Sequence, residues 1–398
     1  MSALYNDISQ CEPFLPGEKA LEPLRAKAYQ LLQLASQVTG QAHPSVMQAL
    51  CERLRSMNSY YTNKIEGQHT LPAELESALR KQFSPDMEVH RKQRLALAHI
   101  HTENWAEQHY AHTPWQALFA PEVISALHYD LFAQLPQADC LLVDDTIMVP
   151  GHWRSKSQQV KVGQHTAPEA ASLPRFLGRF AEVYQSLQSG EKAVIAVAAA
   201  HHRLAWIHPF PDGNGRVARL HSHLLLNRMG LTNGVWSPLR GLARTQKAYY
   251  LHLAQADMPR HGDLDGRGNL SEKRLVEFID YFLDVCIDQA RFMGNMLNMQ
   301  TMRDRIRACL AYESAQPGSA ISLQAELPLY TLLISGPMER AQFKQITGLA
   351  TRTAERLLVS LVNRGLVRSD SPRGKVIFGV PLHALRFYFP SLWPEAEV

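Results

Sequence analysis

The stretch His208-Pro209-Phe210-Pro211-Asp212-Gly213-Asn214-Gly215-Arg216-Val217-Ala218-Arg219 separates two apolar segments, about 193–206 and about 214–229, and both read as helices. Pro209 and Pro211 end the first, because proline disfavours helix in the residue before it and has no N–H to donate. Gly213 and Gly215 leave room for a ligand against the backbone and permit positive φ. The second helix starts here, so its free N–H groups and positive dipole end point out of the corner. Arg216 and Arg219 are three residues apart and share a helix face. Two guanidinium groups beside a helix N-terminus suit a polyphosphate. Asp212 is a hard oxygen donor of the kind that holds Mg²⁺ against phosphates. His208 is a base that works near neutral pH. Base, metal ligand, glycine turn and two arginines point to group transfer from a nucleotide phosphate. No Gly-x₄-Gly-Lys-Ser/Thr loop occurs, which excludes a Walker-type P-loop.

The same twelve residues resemble the signature of the Fic family, His-x-Phe-x-Asp/Glu-Gly-Asn-Gly-Arg-x-x-Arg, at every fixed position. Proteins of that family mostly move AMP from ATP to a Ser, Thr or Tyr hydroxyl of a protein. The resemblance implies that His208 deprotonates the target hydroxyl and that Asp212 holds Mg²⁺. It gives the α-phosphate to Gly213, Asn214 and Gly215, the β-phosphate to Arg216 and the γ-phosphate to Arg219. Phe210 then anchors the loop to the core.

Upstream, the spacing of apolar residues predicts helices at 18–39, from Pro44 to about Ile65, and at about 71–82, 86–109 and 121–133. The second ends in Thr62-Asn63-Lys64-Ile65-Glu66-Gly67, which resembles the Fic inhibitory motif Ser/Thr-x-x-x-Glu-Gly/Asn. A carboxylate at Glu66 would pair with Arg219 and take the place of a γ-phosphate, leaving the nucleotide misplaced for in-line attack. Taken alone, Glu66 is an ordinary helix-end carboxylate capped by Gly67.

Residues 144–165 lose the helical period and read as a hairpin with arms at 149–153 and 159–162. Gly151-His152-Trp153-Arg154, then Val160-Lys161-Val162-Gly163, resembles the flap that precedes the Fic signature. Such a flap offers a strand edge to a target polypeptide. A helix at about 168–188 follows, and the segment from Ala193 is apolar on nearly every face, as a buried central helix must be. Beyond the signature come helices at about 245–256 and 272–298. The family places a tyrosine near the nucleotide base in this region, and Tyr250 is the candidate. Residues 262–269 lack the ligand register and closing Glu of a calcium loop and read as a turn, with Ser271 capping the next helix.

Residues 315–328 read as a linker. Helices at about 329–335, 339–346 and 350–363, then short strands near 366–369 and 375–380, resemble a winged helix-turn-helix. Residues 331–380 hold eight Lys/Arg against three Asp/Glu, a net of +5, while the rest of the chain holds 33 against 34. That excess suits phosphate contacts, so 329–390 is a candidate DNA-binding surface. The fold expected is mainly α: an N-terminal helical region (1–110), a Fic-type core with a β-hairpin flap (111–300), a linker (301–328) and a winged-helix domain (329–398).

Five scattered cysteines without a Cys-x-x-Cys pair argue for reduced thiols and a cytoplasmic setting, and no signal peptide or membrane span is visible. The eighteen histidines fit no repeated metal-ligand spacing; His99/His101 and His221/His223 are i,i+2 pairs on different helix faces and read as structural. ATP is the expected co-substrate, Mg²⁺ the cofactor and a protein the target, with the chain itself among the candidate targets and a homo-oligomer left open. Three rivals stand beside AMP transfer. Glu66 could orient water for AMP removal; the group moved could be phosphate, phosphocholine or UMP, as in some relatives of the Fic family, although the intact Gly213-Asn214-Gly215 argues against the kinase-like branch; or the chain could be a DNA-binding regulator whose Fic-like domain senses nucleotide.

Overall fold

The computed structural model describes residues 5–41, 43–156, 158–187, 190–390 and 392. Of the ranges read from sequence, residues 1–4, 42, 157, 188, 189, 391 and 393–398 lie outside the described residues. The chain divides into two compact units. The first comprises Met1–Leu34, Asn58–Thr232 and Ser237–Gln289; the second comprises Ala35–Met57, Asn233–Trp236 and Ala290–Val398.

The helices in chain order are α1 (Glu18–Thr39), α2 (Pro44–Ile65), α3 (Pro72–Leu79), α4 (Met87–His109) and α5 (Pro121–Ala133). After the strands β1 (Lys161–Val162) and β2 (His165–Thr166) come α6 (Leu173–Gln185), α7 (Gly190–Ile207), α8 (Asn214–Arg228), α9 (Leu239–Arg244), α10 (Gln246–Ala256) and α11 (Glu272–Met296). The first unit is built on α7. Every residue from Ala193 to Ile207 except Ala205 is buried. A helix with no wet face must satisfy its polar residues internally. Arg203 accordingly donates from Nε and Nη2 to the Pro13 carbonyl at 2.9 and 2.7 Å. His201 sits between Ser222 Oγ and Tyr249 Oη, at 2.8 and 2.7 Å.

Helix α8 packs along α7, and α4 and α5 pack on α8. Ala98, Leu131, Phe132, Cys140, Met148 and Leu220 form one apolar cluster across these elements. Each large apolar side chain buried there stabilises the unit by about 1.5–3 kcal/mol. The helix that follows the α7–α8 corner therefore rests on a packed apolar cluster.

The hairpin differs from expectation. Its arms are β1 and β2, paired antiparallel as Lys161↔Thr166 and Val162↔His165. Gly163, at φ +59°, opens the two-residue turn. Residues 149–153 form no strand, because their polar groups serve the neighbouring structure instead. The Gly151 N–H donates to His128 Nδ1 at 2.8 Å, and Trp153 Nε1 donates to Ser125 Oγ at 2.9 Å. Val160 lies just before β1 and accepts from the Ala167 N–H at 3.0 Å.

The second unit contains α12 (Met299–Ser314), α13 (Glu326–Ser335), α14 (Arg340–Ile346), α15 (Thr351–Asn363), the antiparallel pair β3 (Val367–Arg368) and β4 (Ile377–Phe378), and α16 (Leu382–Tyr388). Helix α12 corrects the linker expected over 301–328. Its Met302, Ile306, Cys309, Leu310 and Glu313 are buried at helical spacing, and Asn298 caps its start by accepting from the Gln300 N–H at 2.9 Å. The charges at Arg303, Asp304, Arg305 and Arg307 mask that stripe in the sequence. Glu313, almost fully buried, takes a two-pronged bond from Arg364 at 2.6 and 2.8 Å. Helix α13 packs on α12, α14 and β4, and α15 packs on α14 and β3. Among the described residues no helix is long and apolar enough to cross a membrane.

Candidate active site

Helix α7 stops at Ile207, and the chain turns at His208, whose φ of +50° is rare outside glycine. Such a backbone persists only where its surroundings fix it. Arg154 does so. Its Nε donates to the His208 carbonyl at 2.8 Å, its Nη2 to the Pro168 carbonyl at 2.5 Å, and its N–H to the Pro209 carbonyl at 2.9 Å. Burial pulls this guanidinium down to a pKa of about 10, still charged at neutral pH.

The His208 ring is oriented by its own helix. Nδ1 lies 3.1 Å from the Ala205 carbonyl. A carbonyl only accepts, so Nδ1 carries the proton and Nε2 keeps its lone pair. Burial lowers the pKa to about 4, helped by the positive fields of His165 and Arg154 and opposed by the Ala205 bond and Asp212. The imidazole is a neutral base at physiological pH.

The loop beyond is pinned from two sides. Phe210, fully buried, stacks on His128 with ring centroids 3.9 Å apart. His128 Nδ1 accepts the Gly151 N–H, so its Nε2 is the donor to the Asp212 carbonyl at 3.2 Å. The Asn214 side chain closes a ring with Phe210, accepting from its N–H at 2.9 Å and donating to its carbonyl at 2.7 Å. Asn214 thus spends its amide on the loop and offers a ligand only its backbone. Gly213 caps α8 at φ +79°, and a Cβ there would lie 2.4 Å from the Phe132 ring, a clash. Asp212 is exposed, with Oδ1 accepting the Gly213 N–H at 2.6 Å.

The first turn of α8 faces the end of α2. Arg219 is buried, donating from Nε to Thr62 Oγ1 at 2.8 Å and from Nη2 to Glu66 Oε1 at 2.6 Å. Arg216 donates from Nε to Asn63 Oδ1 at 3.0 Å and from Nη2 to Gln68. Glu66 Oε1 sits over the α8 N-terminus: a Cβ on Gly215 would lie 2.5 Å from it. Burial raises the Glu66 carboxyl, but Arg219 and Arg216 outweigh it and hold the pKa below the usual range. The α2 end is itself fastened. The Ile65 carbonyl accepts from Gln246 Nε2 at 2.8 Å and Tyr250 Oη at 2.9 Å, and Gly67 turns the chain at φ +68°.

Part of this arrangement lines one cavity of about 710 Å³, the size of a small-molecule site, while Asp212, Gly213, Asn214 and Arg216 stand outside its lining. Glu66, His208, Gly215, Arg219, Tyr249 and Tyr250 open onto it, as do Val162 and Gly163 of the hairpin. Lys161 and Val162 are exposed, and His165 Nε2 donates to the Trp206 carbonyl at 2.8 Å, tying the hairpin to α7. Sequence reasoning missed His128 and the clamping role of Arg154. It also missed Tyr249, whose hydroxyl meets both His201 and Arg219, and Asp257, which lines the cavity 3.1 Å from His202. Asn63 lay inside the quoted motif and Tyr249 beside the chosen tyrosine; His128 carries no sequence signal.

Residues 118–226 match the Fic/DOC family model. The chain is 32% identical over 150 residues to a protein named protein adenylyltransferase Fic from Nematostella vectensis, covering 35% of this chain and 33% of that one. It is 35% identical over 107 residues to a protein of the same name from Drosophila grimshawi, covering 27% and 20%. The chain thus spans a third or less of the curated relatives it matches. A crystal structure of a Fic family protein from Desulfovibrio desulfuricans G20 superposes with a TM-score of 0.53 at 16% identity, over 93% of this chain and 99% of that one. The first unit's helical core is of the Fic type.

Proposed function

We propose that the chain is a protein adenylyltransferase held in check by Glu66. Nucleotide enters the cavity with its phosphates at the α8 N-terminus, where the Gly213, Asn214 and Gly215 backbone meets the α-phosphate and Arg216 and Arg219 the β- and γ-phosphates. A target hydroxyl, presented along the edge of β1 at Val160, Lys161, Val162 and Gly163, attacks the α-phosphorus. The bond to the β-phosphate breaks, pyrophosphate leaves, and Nε2 of His208 takes the hydroxyl proton. Tyr250 flanks the base. Asp212, an exposed carboxylate at the helix end, is the right kind of donor for Mg²⁺, which would be shared with the phosphates and neutralise their charge.

One observation carries this reading: a carboxylate already occupies the anion-binding corner, on Gly215 and Arg219, while a neutral imidazole faces the same cavity. An ionised Glu66 at that place also favours a second reaction, in which Glu66 orients water and AMP is removed from a protein. In the second unit, the order α13–α14–α15–β3–β4 supports a winged helix. Exposed Arg352 and Arg356 on α15 suit DNA phosphates there.

The test uses ATP labelled on the α- or γ-phosphate, Mg²⁺ and cell lysate, with wild type, Glu66→Gly and His208→Ala. Protein label from α-ATP that rises in Glu66→Gly and vanishes in His208→Ala is expected. Label from γ-ATP alone, or none in any variant, overturns AMP transfer; loss of pre-formed AMP–protein on adding wild type selects the hydrolytic reading.

A further inference from the structure

The cavity has a second end, away from Arg219. Tyr249 and Tyr250, then Leu253 and Ala254, then Asp257 line it, so one face of α10 and the residue just past its end form a wall. Tyr250 bonds the Ile65 carbonyl, next to Glu66, and so marks the phosphate corner. At 1.5 Å per residue Asp257 lies about 10 Å further along the helix axis. A nucleotide with its phosphates at Arg219 lays its nucleoside toward Asp257.

Asp257 is a carboxylate in a wall that is otherwise largely apolar, and its hydrogen bonds fix its role. Arg203 grips the Pro13 carbonyl with Nε and Nη2 and turns Nη1 to His202 Nδ1 at 2.7 Å. A guanidinium only donates, so Nδ1 accepts and the His202 proton sits on Nε2. Nε2 in turn donates to Asp257 Oδ1 at 3.1 Å and to the Leu253 carbonyl at 3.2 Å. Burial raises the Asp257 carboxyl, but the His202 bond and the positive fields of His165 and Arg203 outweigh it and hold the pKa below the usual range. Among the described residues His202 is the carboxylate's only bonding partner, which leaves lone pairs for a donor in the cavity.

The same end carries an aromatic face. The segment ahead of α1 brings Tyr5 to the cavity, its ring 5.0 Å from that of Trp206 and stacked at 6.1 Å on that of His165. The segment is fastened: the Glu169 N–H donates to the Tyr5 carbonyl at 2.8 Å, and Arg175 and Ser172 donate to the Asn6 carbonyl at 2.8 and 3.2 Å. A flat ring and an ionised acceptor at the nucleoside end of the cavity are the parts needed to hold and read a base.

We propose that Asp257 selects the base of the nucleotide: its carboxylate accepts the exocyclic 6-amino group of adenine while Tyr5 lies against the ring. The inference rests on the nucleotide reading of the cavity and adds the group that tells one nucleotide from another. A base that turns a carbonyl toward Asp257 is rejected, because two acceptors then meet with no proton between them.

The test is calorimetry on the full chain with Mg²⁺ and nucleoside diphosphates, which lack the phosphate that competes with Glu66. Wild type is expected to bind ADP at least tenfold tighter than purine-riboside diphosphate, which has no 6-amino group, and than IDP, which has a 6-oxo group in its place. The 2′-deoxy and 3′-deoxy forms of ADP should bind within about threefold of ADP. Asp257→Asn keeps an oxygen for His202 and turns a donor to the ligand, so its preference should reverse to IDP over ADP. Tyr5→Ala should weaken ADP and purine-riboside diphosphate alike, about tenfold, and leave their ratio in place. Urea midpoints establish that both variants fold, and the analogue series on wild type decides the matter if Asp257→Asn does not. The inference is overturned if wild type binds purine-riboside diphosphate as tightly as ADP, if the losses follow the sugar hydroxyls, or if folded Asp257→Asn still prefers ADP. In each of those cases ADP still binds and the nucleotide reading stands; absence of binding by ADP and every analogue removes that reading and this one with it.

Discussion

Replacing Glu66 by Gln should strengthen binding of ATP and leave ADP nearly unchanged. The carboxylate bonds to Arg219 at 2.6 Å and lies against Gly215. A charge-assisted bond of this kind is worth about 1.5–3 kcal/mol. Glu66 is 29% exposed, which places it at the lower end. A γ-phosphate competing for Arg219 has to displace that bond, so removing the charge should tighten ATP about tenfold, since about 1.4 kcal/mol is one decade. ADP has no γ-phosphate and should change less than about threefold by the same reckoning. Calorimetry with ATP and ADP in a His208→Ala background measures both without turnover. The competition has a pH signature as well. Glu66's pKa is held below the usual range, so the carboxylate stays ionised from pH 5 to 8, and the ATP ratio between wild type and Glu66→Gln should be flat there. Equal tightening of ATP and ADP, or a ratio that collapses near pH 6, would refute displacement at Arg219.

Three further outcomes follow from the same geometry. Arg154→Met should lower the turnover of AMP transfer at least 100-fold while ATP affinity stays within about threefold, because Arg154 holds the His208 backbone and touches no phosphate group's expected place; initial rates and calorimetry separate the two. Gly213→Ala should destabilise the chain by about 2 kcal/mol or more, seen as a lower urea midpoint, since it combines a φ of +79° with a clash on Phe132. His128 and His221 are buried and have pKa values lowered from 6.5 to about 4 by burial. The unfolded chain binds more protons below pH 6.5, so stability falls from there towards pH 4. Each histidine costs about 2 kcal/mol at pH 5. His221→Gln, which keeps a donor for the Leu118 carbonyl, should shrink the loss between pH 7 and pH 5 by that amount in urea unfolding.

What could be read from sequence was whatever a local rule fixes. The two prolines and glycines of the signature force a break between helices wherever they fall, and an all-apolar segment such as 193–200 must lie at a centre. Helix limits at α1, α2 and α5 followed from caps, prolines and periodicity. The hairpin did not, because residues 149–153 look like a strand until one sees that α5 takes their hydrogen bonds. Helix α12 was hidden by its own charges. Asn214 shows the limit within the signature itself: its position was legible, but only the fold reveals that its amide belongs to Phe210.

The histidines carry the same lesson further. Taken as i,i+2 pairs, His99/His101 and His221/His223 point to different faces and suggest nothing. Spacing of four on α4 is the informative interval, and it links His99 to Glu103 and Glu107 rather than to His101. Spacing of four on α8 links Arg219 to His223. The two stripes meet because α4 packs on α8, a fact of tertiary structure that joins residues 116 apart in sequence. A side-chain cluster divided between two helices is thus visible as two half-patterns, neither of which means anything until packing supplies the other. The signature escapes this restriction because its loop and the following helix turn carry most of the groups proposed to face phosphate on twelve consecutive residues. Glu66 lies between the two cases. Its motif is local, but its meaning depends on the end of α2 being held over Gly215 by Gln246 and Tyr250 from α10. Loosening that hold, by a target or a partner that draws Tyr250 away, would free Arg219 without any change in the signature itself.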